Sequence, residues 1–389
     1  MSQPGARTKV FRSILVWDLP TRVFHWLFAT SFTAAWYISE SDQWLSFHTF
    51  FGYLMLGLIG FRLIWGVVGG HYARFTAFLY SPKTGLSYLR QALSGLGARY
   101  IGHNPAGSQA VYLLLVLGLA VCLTGIFTQG GEEQQGAAAG WFGVTTGVMF
   151  KEAHGYIAIL MLLVVIGHLA GVVMESRLHR ENLARSMVTG IKEAPQGSAA
   201  SKPYRGLGAL LLAVVIVFGI WWFFYAWHEP VEKRVGHDDA KLEGPHVAFV
   251  GPKLADDAKW REECGSCHLA FHPNLLPVRS WQRLMAEQDK HFGTDLALDE
   301  ATSAAVLAFL VNNAAEKSNR EAAFKINRSI KAEVTPLRIT ETPYWVNKHR
   351  EIADSVWRSA KVKSKANCEA CHLDAEAGTF EDAAMQVPG

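Results

Sequence analysis

The chain has 389 residues, of which 50% are apolar and 18% are charged, with a mean hydropathy of +0.11. This composition excludes a disordered or fibrous protein. Residues 1–227 carry 16 Lys and Arg against 9 Asp and Glu, whereas residues 228–389 carry 21 against 25. A uniformly basic nucleic-acid-binding protein is therefore excluded as well, and no nucleic-acid partner is expected.

Five apolar stretches in the first half are long enough to cross a membrane, because a hydrocarbon core of about 30 Å requires roughly 20 helical residues. They lie near residues 22–39, 47–68, 109–129, 152–174 and 206–227. The first has no small-residue cleavage site behind it and is expected to be an uncleaved anchor.

Basic residues predict the orientation of these stretches. The N-terminus and the loops 69–108 and 175–205 hold 14 Lys and Arg residues, whereas the turn at 40–46 holds none. The positive-inside rule therefore predicts a cytoplasmic N-terminus and places residues 228–389 on the opposite side of the membrane.

Four histidines lie within these stretches or at their rims, where an ionisable residue is costly and indicates function. They are His25, His48, His154 and His168. His154 and His168 are 14 residues apart, which places them about 40° from alignment on one helix face and about 21 Å from each other. The predicted topology matches His48 with His154 in depth, and His25 with His168. Two non-covalent b haems in a four-helix bundle follow from this pattern, the alternative at each position being a histidine that only hydrogen-bonds a neighbouring helix.

Arg62 follows His48 by 14 residues and therefore lies at the membrane depth predicted for the pair His25 and His168. The sequence leaves two roles open for it: pairing with a haem propionate, or extension to the cytoplasmic surface. Cys122 is expected to be a small core residue, and most of the loop histidines, a group that includes His103, are expected to be solvated.

Several strings in this half carry a family resemblance. They are V-W-D-L-P-T-R-V-F-H-W-L (16–27), H-T-F-F-G-Y (48–53), F-R-L-I-W-G (61–66), G-H-N-P-A-G (102–107), E-A-H-G-Y (152–156) and H-R-E-N-L-A-R-S-M-V-T-G-I-K (179–192). Residues 16–192 resemble the prokaryotic cytochrome b561 family, whose superfamily includes the b-type cytochrome subunits of nickel-iron hydrogenases. The resemblance implies a four-helix core with two b haems, and its ligand positions fall on the four histidines named above.

The second half contains two C-x-x-C-H patterns, formed by Cys264, Cys267 and His268 and by Cys368, Cys371 and His372. In this spacing the cysteines form thioether bonds to a haem and the adjacent histidine ligates the iron, so we expect two covalent c haems. The remaining axial ligands are open among His272, His291, His349, Met285 and Met385. His291 follows His268 by 23 residues and His349 precedes His372 by 23, whereas His272 lies only four residues after His268.

A second resemblance rests on F-H-P-N-L-L-P-V-R-S-W (271–281), K-H-F-G (290–293), L-D-E-A (298–301) and R-I-T-E-T-P-Y-W-V-N-K-H-R-E-I (338–352). Residues 260–380 resemble the bacterial dihaem cytochrome c family. Its bis-histidine pattern carries onto His291 and His349 without indicating which serves which haem. Residues 299–335 are expected to form a packing helix capped by Asp299.

The predicted fold is all-α, with a transmembrane four-helix bundle, a fifth membrane helix and a mainly helical soluble dihaem domain. The expected boundaries are 1–205 for the b domain, 206–227 for the fifth membrane helix, 228–259 for a linker and 260–389 for the periplasmic c domain. Covalent haem and the positive-inside topology indicate a multi-pass protein of a bacterial inner membrane.

Four haems in one chain predict an electron carrier, because the cofactors supply the chemistry. The preferred function links the quinone pool to a soluble periplasmic redox protein, as a quinol:cytochrome-type oxidoreductase. One alternative is superoxide oxidation at the outer b haem with quinone as acceptor, for which the outer loops offer almost only Lys151 as positive charge. Another is a membrane anchor that relays electrons from a partner dehydrogenase or hydrogenase. Membrane lipid and quinone are expected partners, and a homo-oligomer is left open.

Overall fold

The computed structural model describes residues 11–39, 44–133, 135–228, 253–318 and 320–388. The chain is mostly helical and divides into two compact units. The first unit comprises Met1–Glu40, Phe47–Gly125 and Glu152–Phe223, and the second comprises Ser41–Ser46, Ile126–Lys151 and Phe224–Gly389. The loop after the third apolar stretch therefore belongs to the same unit as the c-type domain.

The N-terminal part of the chain consists of helices and two short strands. In chain order they are β1 (Phe11–Leu15), α1 (Leu19–Ile38), α2 (Leu45–Val68), α3 (Pro82–Leu93), α4 (Pro105–Gly131), α5 (Val144–Leu178), α6 (Leu183–Thr189), β2 (Ile191–Pro195) and α7 (Arg205–His228). Asp18 begins α1, because its side chain accepts a hydrogen bond from the backbone N–H of Thr21.

Four helices in the described part of the chain are long and apolar enough to cross a membrane: α2, α4, α5 and the Arg205–Phe224 portion of α7. Helix α1 has 20 residues but is not among them, since polar residues such as Arg22 and His25 lower its hydropathy. All five helices nevertheless contribute to one apolar core, which includes Phe24, Phe32, Leu58, Ile59, Val121, Met161, Leu211 and Phe218.

One end of this bundle carries a small second core. Strand β1 pairs antiparallel with β2, with Phe11 opposite Pro195 and Leu15 opposite Ile191. The buried residues of this core are Ile14, Val16, Trp17 and Ala194, and Tyr72, Ile101 and Met187 pack against them. The N-terminal strand, the two ends of the segment 72–101 and the segment 187–194 thus meet in this second core.

The c-type region consists of short helices joined by turns. They are α8 (Ala258–Gly265), α9 (Val278–Ala286), α10 (Glu300–Asn312), α11 (Glu321–Ser329), α12 (Pro343–Lys348) and α13 (Asp354–Trp357). Two clusters hold them together, one around Trp260, Trp281, Val306 and Leu310 and the other around Leu275, Ile326 and Ile330. Most of the predicted linker, residues 229–252, lies outside the described residues.

The single packing helix expected over 299–335 is wrong. Asp299 does cap α10, accepting hydrogen bonds from the N–H groups of Ala301 and Thr302, but α10 ends at Asn312 and α11 begins only at Glu321. The Asn313 side chain donates to the Phe309 carbonyl at 2.9 Å. A short polar side chain thus satisfies a backbone group at the helix end, which favours termination.

Candidate haem sites

The pair formed by His48 and His154 lies within the first unit. The ring centroids of His48 and His154 are 6.0 Å apart. The Nδ1 of His48 lies 3.0 Å from the Ala35 carbonyl, and the Nδ1 of His154 lies 3.0 Å from the Val121 carbonyl. Because a carbonyl oxygen only accepts, each Nδ1 carries the proton and each Nε2 is left for a metal. A Cβ on Gly125 would lie 3.2 Å from the ring of His154, so a glycine leaves room for the imidazole.

His25, His168 and Arg62 also lie within the first unit. His25 on α1 and His168 on α5 lie close enough to interact electrostatically, and the buried Nδ1 of His25 has no hydrogen-bond partner among the described residues. Arg62 is 3% exposed, and its guanidinium lies 4.6 Å from the centre of the Phe75 ring. The guanidinium is therefore buried rather than extended into water, and its pairing with a propionate stays a prediction.

The first C-x-x-C-H motif lies at the end of α8 and just after it. The ring centroids of His268 and His291 are 6.4 Å apart, with the ring planes 23° from parallel. The Nδ1 of His268 donates to the Leu269 carbonyl at 2.7 Å. Cys264 is partly buried and Cys267 is exposed. The fold thus brings His291 to His268, a choice that the sequence left open.

The second motif has the same arrangement with the order of its two histidines reversed along the chain. The ring centroids of His349 and His372 are 6.1 Å apart. His349 donates from Nδ1 to the Trp345 carbonyl at 2.8 Å and stacks on the Trp345 ring, with centroids 4.2 Å apart. Met385 pairs with His372 through the backbone.

These separations match the size of a bis-imidazole metal site. A metal–nitrogen bond of about 2.0 Å on each side, with each ring centre about 1.1 Å behind its nitrogen, places two ring centres roughly 6 Å apart. The three measured pairs span 6.0–6.4 Å. The residues present therefore fit an iron held between two imidazoles at each of these positions.

His272 and Met285 differ from the paired histidines. The Nε2 of His272 donates to the Ala255 carbonyl at 3.0 Å, and its Nδ1 accepts from the Asn274 N–H at 3.3 Å. Both ring nitrogens are therefore engaged with the backbone. Met285 is buried in the apolar cluster around Trp281, so neither side chain is available as an axial ligand in this structure.

His103 is an exception to the expectation that most loop histidines are solvated. Its ring lies half-buried, with its centroid 4.8 Å from that of Trp17 and 4.3 Å from that of Phe78. Burial, together with the positive charges of Arg62 and Lys192, lowers the pKa of His103 to about 3, so the ring is neutral at physiological pH. Neighbours distant in sequence bury this loop residue, which is why its local sequence does not reveal it.

The second unit also buries a carboxylate cluster that sequence analysis did not find. Oxygens of Glu132, Glu133 and Glu321 lie within 4.8 Å of one another, and all three side chains are buried. Lys325 contacts Glu321 and lies 3.8 Å from Glu132, whose carboxylate also accepts from Lys151 at 2.7 Å. Burial and the neighbouring Glu321 carboxylate raise the pKa of Glu133. We interpret the cluster as an ion-pair network, because the two ammonium groups already supply the positive charge that a metal would bring.

Comparison with known families finds one match in each half of the chain. Residues 16–190 match the family described as prokaryotic cytochrome b561, and residues 260–380 match the family described as dihaem cytochrome c. Two similar curated proteins are both named "Probable Ni/Fe-hydrogenase B-type cytochrome subunit". The one from Cupriavidus necator is 23% identical over 221 residues, covering 48% of this chain and 90% of its own length. The one from Rhodobacter capsulatus is 23% identical over 216 residues, covering 46% and 80%.

Solved structures are similar to about a third of the chain. A diheme cytochrome c from Rhodobacter sphaeroides is 41% identical, with 33% of this chain and 100% of that chain covered and a TM-score of 0.30. A diheme cytochrome from Shewanella baltica is 31% identical, with 35% and 96% covered and a TM-score of 0.28.

Proposed function

We propose that this membrane protein carries electrons between the quinone pool and a soluble periplasmic redox protein. The proposal starts from the two families: residues 16–190 belong to the prokaryotic cytochrome b561 family, and residues 260–380 belong to the dihaem cytochrome c family. Membrane electron transfer with both b and c haem follows from the two families. The proposal adds four haems, a quinone, an inner-membrane location with a cytoplasmic N-terminus, and a periplasmic acceptor.

The three imidazole pairs with centroids 6.0–6.4 Å apart are the observation that supports the proposal. We assign His25 and His168 to one b haem and His48 and His154 to the other. We assign His268 and His291 to the first c haem and His349 and His372 to the second, with Cys264, Cys267, Cys368 and Cys371 forming the covalent bonds. When bound, the haems supply one-electron redox chemistry.

The polypeptide contributes ligation and orientation. Backbone carbonyls of Ala35, Val121, Leu269 and Trp345 accept the Nδ1–H of four ligand histidines. Such hydrogen bonds fix the tautomer and the ring orientation and strengthen the histidine as a ligand. Arg62 is buried, and its guanidinium would offset the negative charge of a propionate.

The alternatives differ in their support. Lys151, the positive charge that superoxide chemistry at the outer haem would use, already pairs with Glu132 at 2.7 Å. The names of the two curated relatives favour a second candidate, electron relay for a partner hydrogenase. The fused dihaem domain supports the quinone-to-periplasm direction, because it provides an electron acceptor on the same chain.

An anaerobic absorbance spectrum of the purified protein, recorded before and after addition of a reduced quinol, tests the proposal. We expect both the b and the c α-bands to be reduced, with band areas corresponding to two haems of each type. If dithionite reduces both bands and quinol reduces neither, the quinol-driven function is wrong, and a reduced hydrogenase becomes the donor to test.

A further inference from the structure

The loop between the two histidines of the second c site is basic within an acidic domain. Residues 260–389 carry 16 Lys and Arg against 18 Asp and Glu, whereas residues 350–367 carry five against two. The five basic side chains are all exposed: Arg350, Arg358, Lys361, Lys363 and Lys365. The two acidic residues of the loop lie 3.3 Å from Arg350 and 3.9 Å from Arg358. The loop therefore has a formal net charge of +3, and three of its five exposed basic residues are lysines.

The loop lies next to the second c site, and its middle is anchored to the rest of the domain. It runs from His349 to Cys368, so both of its ends border the second c site. Val362 is fully buried, and its carbonyl accepts from the Asn367 side chain at 3.0 Å. The backbone N–H of Lys363 donates to the Ser359 carbonyl at 2.9 Å. The lysines on either side of Val362 are thus held by an anchored turn.

Aromatic rings connect the lysines to the axial ligand. Trp345 stacks on His349, and the Trp357 ring lies 5.8 Å from Trp345 and 6.0 Å from His349, measured between centroids. The ammonium of Lys365 lies 5.9 Å from the centre of the Trp357 ring. Trp357 is partly exposed, so aromatic contacts extend from the ligand histidine to the basic surface.

We propose that Lys361, Lys363, Lys365 and Trp357, here called the basic rim, form the docking surface for an acidic soluble redox protein. This inference rests on the proposed function and names the chemistry of the periplasmic partner. Opposite charges around an electron-transfer site accelerate encounter and orient the partner. Anionic lipid headgroups would also be attracted by the positive charge of the basic rim. Only for a redox partner does it matter that Trp357 connects the rim to His349, the axial ligand.

Charge reversal with small redox probes tests the basic rim without the natural partner. The triple variant Lys361→Glu, Lys363→Glu, Lys365→Glu is compared with Lys317→Glu, Arg328→Glu, Lys331→Glu, which changes the net charge equally at exposed positions elsewhere in the same unit. Full-length haem-loaded protein, reduced with dithionite, is oxidised at low ionic strength by ferricyanide or by tris(phenanthroline)cobalt(III). We expect the rim variant to slow oxidation by ferricyanide about tenfold and to accelerate oxidation by the cobalt complex, with changes below about twofold in the matched variant. Equal effects in the two variants would overturn the proposal, since net charge alone would then explain them.

Binding gives a second readout that does not depend on electron transfer. Wild type and both variants, in discs of uncharged lipid, are titrated with fluorescent poly-L-glutamate and separately with phosphatidylglycerol vesicles. We expect salt-sensitive binding of poly-L-glutamate that only the rim variant loses. Loss of vesicle binding with unchanged poly-L-glutamate binding would identify a membrane-facing surface and overturn the proposal. Failure of the proposed function is detected separately, because it appears as wild-type c haems that quinol does not reduce.

Discussion

Two histidines of the c-type region differ in what their ring nitrogens contact, and this difference predicts their roles. The Nε2 of His272 is bound to the Ala255 carbonyl, whereas His291 faces His268. We expect His291→Ala to retain both covalent c haems, because the thioether bonds remain, but to open one axial position. Dithionite-reduced protein should then bind carbon monoxide at half of its c haem. His272→Ala is the matched control and should bind none; equal carbon monoxide binding by the two variants would contradict the assignment.

The outer b site offers a test by cofactor content. Either His48→Ala or His154→Ala removes one of the two imidazoles whose centroids lie 6.0 Å apart. Since a b haem is held without covalent bonds, we expect the b content to fall from two haems to one while the c content stays at two. The pyridine haemochrome spectrum measures both. His103→Ala, which changes a half-buried histidine of the same unit, should keep both b haems. An unchanged b content in the His48 variant would contradict the site.

Sequence reasoning reached the histidines of the b domain because helix geometry fixes depth. Four positions on known spans can be matched in pairs without any knowledge of side-chain packing, and the structure places His48 beside His154. The c sites could not be paired in this way, because both intervals are 23 residues long. Their pairing depends on turns whose direction is determined by tertiary contacts, such as the burial of Met285 and Trp281. Nor could the sequence reveal that Glu132 meets Glu321, which lies far along the chain.

At the scale of elements, periodicity located the long helices and missed the short elements. The first helix was expected at 22–39 and spans Leu19–Ile38, because Asp18 caps it and proline fits its first turn. The predicted loop at 69–108 contains helix α3, which Ser81 caps through the backbone N–H of Thr84. Strands β1 and β2 have five residues each, and most of the sequence of the first unit lies between them. A pairing between segments so far apart in sequence leaves no local sequence pattern.

The C-terminal segment that follows the second c motif carries a pH-dependent contribution to stability. Glu381 is 3% exposed, and neither carboxylate oxygen has a hydrogen-bond partner among the described residues. Burial, followed by the negative charges of Asp374 and Glu321, raises its pKa from 4.5 to about 9. The folded state therefore keeps a proton that the unfolded state releases. The stabilising contribution is complete below pH 4.5 and is lost as the pH rises towards 9.

This linkage predicts the behaviour of Glu381→Gln. One proton corresponds to at most about 1.4 kcal/mol per pH unit, so wild-type Tm should decrease between pH 6 and pH 9. The glutamine variant should show a shallower decrease, since its amide does not titrate. Thermal unfolding followed by circular dichroism measures the difference in slope. Glu351→Gln, at an exposed position, is the control and should retain the wild-type slope; parallel slopes for wild type and Glu381→Gln would contradict the pKa assignment.

The whole molecule combines a basic apolar half with an acidic polar half, and this asymmetry predicts its orientation. Residues 1–227 carry 16 basic against 9 acidic residues, and the basic ones concentrate at the N-terminus and in the loops 69–108 and 175–205. Elements of these segments meet in one small core around Trp17, so they lie at one end of the first unit. Short loops rich in Lys and Arg resist translocation, and we therefore expect this end to be cytoplasmic.

Reporter fusions test that orientation in living cells. Alkaline phosphatase, which requires an oxidising compartment for its disulfides, should be active when fused after residue 389 and inactive when fused within the loop 175–205. A fluorescent protein that matures only in the cytoplasm should show the reverse. Replacing Arg177, Arg180 and Arg185 with glutamine should raise phosphatase activity at the loop fusion. The loop would then have fewer positive charges to oppose its translocation across the membrane. An inactive phosphatase at the C-terminus would place the c-type domain in the cytoplasm and contradict a periplasmic acceptor.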